Sequence, residues 1–208
     1  MKTPIVITFL FIVVTIQASA QIDLKNYRQI PAEMRQRDSL IKFVKPDKAY
    51  TYWEFDKDFP YSVIDSAANH LPVIFSSGKK PDGFGFKAPN SSLFVGCMPS
   101  YCSKIIVYVL DGKIGFVTND EQFIAFMGRI DNPQEALLLG IIKEGLYPDE
   151  KKVGGAYRIT PDGFDLMMTK YEMCPETKQA IQLTVGPAGV VKKIPRKIYY
   201  KSNGCVVI

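Results

Sequence analysis

Histidine is nearly missing from this chain: there is one, His70, in 208 residues. That scarcity removes the imidazole clusters on which most zinc and other transition-metal sites depend. It also leaves a single imidazole to serve as a general base. The sequence holds no G-x-S-x-G elbow, no H-E-x-x-H helix and no glycine-rich phosphate loop, so the common hydrolase, metalloprotease and nucleotide-binding signatures are missing. There is no low-complexity tract, and apolar content is ordinary at 47%, which excludes a disordered chain. Beyond the N-terminus no segment is apolar and long enough to span a membrane, since a spanning helix needs about 20 such residues.

What is present begins with an export pattern. Lys2 supplies a positive start, Ile5 to Ile16 form an almost unbroken apolar run, and Gln17-Ala18-Ser19-Ala20 is small and polar. Ala18-x-Ala20 suits the signal peptidase pocket, which excludes bulky side chains at those two positions. The expected cut follows Ala20, so residues 1–20 read as a cleaved signal peptide and not as a transmembrane anchor. No cysteine follows the run, so a lipoprotein anchor is not supported there. The formal net charge is +5. That is too mildly basic to suggest nucleic acid, and export argues against it as well. The expected location is the periplasm or the medium.

An exported chain meets an oxidising milieu, so the four cysteines read as a disulfide set. Four cysteines allow three pairings, and the favoured one is Cys97–Cys102 with Cys174–Cys205. The alternatives are weaker. A redox dithiol normally shows C-x-x-C, whereas four residues separate Cys97 from Cys102. A zinc site lacks histidines, and a bridge would silence a cysteine nucleophile paired with His70. Neither a metal nor a cofactor is expected.

Residues 21–46 read as an N-terminal helical extension. Pro31 is early in the helix, Pro46 is its stop, and Ile30, Met34, Ile41 and Val44 lie on one face. Residues 47–208 read as one domain. A short strand is expected around Tyr50 to Asp58, a short helix over 62–71, a strand at Val73-Ile74-Phe75 and a long loop from Ser76 to Ser92. Lys104 to Leu110 is strongly β-forming, Asp111-Gly112 is a hairpin signal, and Ile114 to Val117 returns. Asn119 and Asn132 are helix caps. Pro133 suits a first turn, Gly145 suits a terminator, and Ala136 to Ile142 is apolar almost all round. Strands follow at 156–160, 164–173, 179–185, 190–194, 197–201 and 206–208. These features predict an α+β fold: a single antiparallel sheet, with two helices between hairpins packed on one face.

Four sets of residues invite a functional reading. Tyr50, Tyr52, Trp53 and Phe55 could stack on a sugar or peptide if exposed, although aromatics also fill cores. Glu54, Asp56 and Asp58 could form a catalytic carboxyl pair or bind calcium, although alternate acids usually mark the wet face of a strand. Asp65 and His70 are weak catalytic candidates without a motif-linked nucleophile. Lys192, Lys193, Arg196, Lys197 and Lys201 could meet an anionic glycan, lipid headgroups or an acidic partner, although cations also protect an edge strand from aggregation. The sequence reading is therefore an exported, disulfide-stabilised protein that binds a protein or glycan partner and catalyses nothing. The alternative is a hydrolase acting on envelope or extracellular polymers.

Overall fold

The computed structural model describes residues 23–58, 72–87, 89, 91, 93–95 and 103–206. In chain order these form β1 (Arg28–Gln29), a 3-10 turn (Ala32–Met34), α1 (Arg37–Ile41), β2 (Tyr52–Asp58), β3 (Val73–Gly78), β4 (Phe94–Val95), β5 (Ser103–Leu110), β6 (Lys113–Val117), α2 (Asp120–Met127), α3 (Pro133–Glu144), β7 (Ala156–Thr160), β8 (Gly163–Met173), β9 (Glu176–Val185) and β10 (Val191–Lys201). The expected leader, its cut after Ala20 and the helix over 62–71 lie outside the described residues. No helix among the described residues is long and apolar enough to cross a membrane.

The strands form two antiparallel sheets, which overturns the expected single sheet. One sheet runs β3-β2-β5, with β4 and β6 both pairing with the far edge of β5. The other runs β1-β7-β8-β9-β10. The helices lie between the sheets. One core joins Trp53, Phe55, Ile106 and Val117 of the first sheet, Phe123, Phe126 and Leu137–Leu139 of the helices, and Leu166, Met168, Ile181 and Leu183 of the second. The reason is visible in α3. Its residues from Glu135 through Gly140 are all buried, and a sheet on one side of a helix can cover only one stripe of it. A helix apolar all round requires a partner on each flank.

Local chemistry fixes the joints. Asp111 and Gly112 both take positive φ, 51° and 71°, as a two-residue type I′ hairpin demands, and they set the Leu110↔Lys113 register. Asn119 Oδ1 accepts the Gln122 amide at 2.8 Å, and Asn132 Oδ1 accepts the Glu135 amide at 2.9 Å. Glu135 in turn accepts the Lys45 amide at 2.7 Å and the Asp131 amide at 2.8 Å. Burial pushes the Glu135 carboxyl up, while the amides it accepts from pull it back. Gly140 is the contact point of α3 with the second sheet: a Cβ there would lie 2.5 Å from Met168 Sδ and 3.0 Å from Leu183 Cδ1.

The N-terminal segment is less helical than its periodicity predicts. Only a 3-10 turn and the five residues of α1 are helical, because an isolated turn nucleates poorly without a long apolar stripe to hold it. Ile30, Met34, Leu40, Ile41 and Val44 are nevertheless buried in the common core, and Arg28–Gln29 pairs with β7. At the other end, 190–194 and 197–201 are one strand, β10. Its pairing with β9 shifts register between Pro195 and Ile198 and again between Ile198 and Tyr200. Proline cannot donate to a ladder, so it is found in edge strands and at bulges.

Candidate functional site

Three of the four aromatic candidates are buried in the fold. Tyr52, Trp53 and Phe55 are 3%, 4% and 0% exposed. Trp53 packs between Phe75 and Phe126, with ring centroids 5.1 and 5.4 Å away, and Phe55 packs against Phe94. None offers a face for stacking on a sugar or peptide. Tyr50 is half-buried against Tyr108 and Phe126, and it lines a cavity of about 190 Å³ with them.

The alternate positions of β2 point to the opposite face of the first sheet. There Tyr52, Ile105, Val107 and Val109 are covered by Phe84, with Phe86 beside it. Both faces of β5 are therefore buried, which accounts for its unbroken apolar run. Glu54 and Asp56 lie on this same face and are 2% and 0% exposed. Far from forming a wet strand face, they are a buried carboxyl pair. Glu54 accepts from the Tyr52 hydroxyl and pairs with Lys80 at 3.1 Å. Neither oxygen of Asp56 has a hydrogen-bond donor among the described residues. Burial first, and the Glu54 charge second, push the Asp56 carboxyl up to about 8. A protonated Asp56 can donate to Glu54, whereas an ionised one would be left uncompensated. Lys80 lies 26 residues from Glu54, and no local pattern in the sequence announces their pairing. The Asp58 side chain, Asp65, His70, Cys97 and Cys102 lie outside the described residues.

Cys174 and Cys205 are bridged across a separation of 31 residues. The bridge closes the end of the β8–β9 hairpin onto the tail. Backbone bonds reinforce it there: the Glu176 amide donates to Gly204 O and the Val206 amide to Met173 O, both at 2.9 Å.

The basic stretch at 192–201 forms β10, at the open end of the second sheet. Lys193 pairs with Glu144 of α3 at 2.5 Å. Arg196 donates to Gln182 Oε1, a neutral acceptor, at 2.6 and 3.2 Å. Lys192, Lys197 and Lys201 are exposed and take part in no ion pair among the described residues. Between them Ile194 and Ile198 are 46% and 54% exposed. The strand thus presents cations and aliphatic side chains along an edge that no other described strand pairs with.

The face of the second sheet turned away from the helices carries ion pairs that sequence spacing does not reveal. Arg158 pairs with Asp165, which also accepts from the Thr184 hydroxyl at 2.9 Å. Asp149 is buried and accepts from Lys178 at 2.8 Å and from the Tyr199 hydroxyl at 3.0 Å. Burial raises the Asp149 carboxyl, but the Lys178 bond and its other donors hold it below the ordinary range. These groups satisfy one another and brace the sheet. Among the described residues no three metal-ligating side chains converge as a metal site requires. No family model, curated protein or solved structure matches the chain.

Proposed function

We propose that this protein is exported, trimmed after Ala20, and works outside the cytosol by binding an anionic macromolecular partner, a glycan or a protein, through β10. The observation that carries the reading is the open edge itself. Among the described residues Lys192, Lys197 and Lys201 have no ionic partner there, and the intervening isoleucines are exposed. Cations of one sign attract a polyanion, and an unpaired ladder edge can accept an added strand. The leader pattern and the Cys174–Cys205 bridge support export to an oxidising compartment.

The test is retention on immobilised anionic polysaccharide at low ionic strength, with a neutral polysaccharide as control. Wild type is retained and released by salt, because exposed charges are screened. The triple substitution Lys192→Gln, Lys197→Gln, Lys201→Gln elutes early with its circular dichroism unchanged. Equal elution of the two proteins, or equal retention on the neutral matrix, rejects the reading. Mass spectrometry of protein from its native host gives a mature N-terminus at Gln21. A retained Met1 rejects the export step alone.

One observation favours a hydrolytic second reading. Glu54 and Asp56 are adjacent carboxyls in unlike environments, the arrangement that separates an acid from a base. The pair is closed off from solvent, so a substrate would have to displace Phe84 and Lys80. An activity against an extracellular polymer that Asp56→Asn abolishes, with the fold intact, would establish it over the binding reading.

A further inference from the structure

We propose that a cavity between the start of α1, β5 and the segment after α3 binds a small oxyanion, a carboxylate or phosphate group on a small molecule. The cavity holds about 280 Å³ and is lined by Arg35, Gln36, Arg37, Asp38, Lys104, Ile141 and Tyr147. Among the described lining residues three cations, Arg35, Arg37 and Lys104, outnumber the one carboxylate, Asp38. That carboxylate is already committed: Asp38 accepts from Lys104 at 2.5 Å.

The orphan is Arg37. Its Nε is buried and has no acceptor among the described residues. Buried donors are nearly always satisfied, and an exception calls for a missing partner. The guanidinium is fixed for such a partner by lying 3.8 Å over the Phe94 ring, a cation–π contact that orients it. Burial weakens its hold on a proton, with Asp38 and Asp120 acting in the opposite direction, and an arginine remains charged throughout. Arg35 is positioned by its own bond from Nε to the Ile30 carbonyl at 3.2 Å. Burial pushes the Tyr147 hydroxyl up to about 12, so it remains a donor at any physiological pH. Among the described lining residues donors thus outnumber the one carboxylate, with Asp120 near Arg37 and with Asp149 and Glu176 near Tyr147. A guanidinium edge matches two oxygens of a carboxylate or phosphate, and the volume suits a small molecule and not a polymer chain.

The site shares no residue with β10, so the two proposals fail separately. The full chain is titrated at low ionic strength with inorganic phosphate and, separately, with acetate. Chloride at matched ionic strength is the control, and calorimetry the readout. Saturable binding of either probe, tighter than chloride, is expected; which probe binds identifies the group. Arg37→Gln and Arg35→Gln each weaken it at least tenfold, and Arg37→Lys does not restore it because an ammonium lacks the fork. Tyr147→Phe weakens it severalfold. The β10 lysine variant leaves it unchanged. Should Arg37→Gln fail to fold, Arg35→Gln and Tyr147→Phe decide the matter. Binding no tighter than chloride by both probes, or affinity unchanged in those two variants, overturns the proposal.

Discussion

Asp56 stands two residues along β2 from Glu54 on the same buried face, and among the described residues only Glu54 of the two is supplied with donors, from Tyr52 and Lys80. The asymmetry makes one carboxyl the proton store of the pair. Its native value near 8 lies above its ordinary value of 3.8. From about pH 4 to 8 the folded chain keeps a proton that the unfolded chain has lost, so stability falls as pH rises through that window and levels off above it. Asp56→Asn removes this fall, which is on the order of several kcal/mol by the conversion of about 1.4 kcal/mol per pH unit. Urea titrations at pH 5, 7 and 9 check it: the variant's dependence is flatter, and its advantage over wild type grows with pH.

The Gly140 contact sets the spacing between α3 and the second sheet. Gly140→Val overpacks it against Met168 and Leu183 and lowers stability by about 1–3 kcal/mol. Adding Met168→Ala to Gly140→Val costs less than the two separate losses together, because the shortened side chain makes room for the new one. A double-mutant cycle by denaturant unfolding measures the coupling; strict additivity would show that the helix does not rest there.

The Cys174–Cys205 bridge closes a loop whose ends are 31 residues apart. Replacing both with serine lowers stability by about 3.5 kcal/mol in the chain-entropy account. The far-ultraviolet spectrum stays native, since the sheet ladders do not depend on the bridge. Equilibrium unfolding of the double variant against wild type reads the difference.

Asn132 and Glu135 tie α3 to the segment after α1. Asn132 Nδ2 also donates to the Phe43 carbonyl at 3.1 Å. Asn132→Ala costs about 1–2 kcal/mol as a lost cap. Glu135→Ala costs more, because it leaves the Lys45 and Asp131 amides without their part-buried acceptor and empties a fully buried side-chain position. Reversal of that order in chemical denaturation would show that the cap, and not the carboxylate, holds the joint.

Much of the local structure was legible because it rests on neighbours in the chain. The Asp111-Gly112 turn, the Asn119 and Asn132 caps and the Gly145 terminator, which is left-handed with φ 61°, all act within a few residues. The sheet count was not legible. Antiparallel succession predicts hairpin partners but does not say whether β7 returns to the sheet that β6 left. The clue was α3, whose apolar perimeter demanded cover on two sides. The burial of the β2 side chains was hidden for a related reason. Alternation in β2 predicts one wet face, and part of the cover on that face comes from Phe84 and Lys80, in a segment with no periodicity. Arg35, Arg37 and Lys104 meet in space from positions up to 69 apart in the chain, which spacing cannot disclose. The cations of β10 were legible because they are contiguous.

The pairing of Arg28 with Tyr157 has a bearing on how the chain comes together. Four strands of that sheet are drawn from residues 156 to 201, and the fifth is Arg28–Gln29. β1 cannot pair until β7, which lies far along the chain, is in place. Such distant closure is slow, so the hairpins from β7 to β10 form a platform onto which β1 closes last.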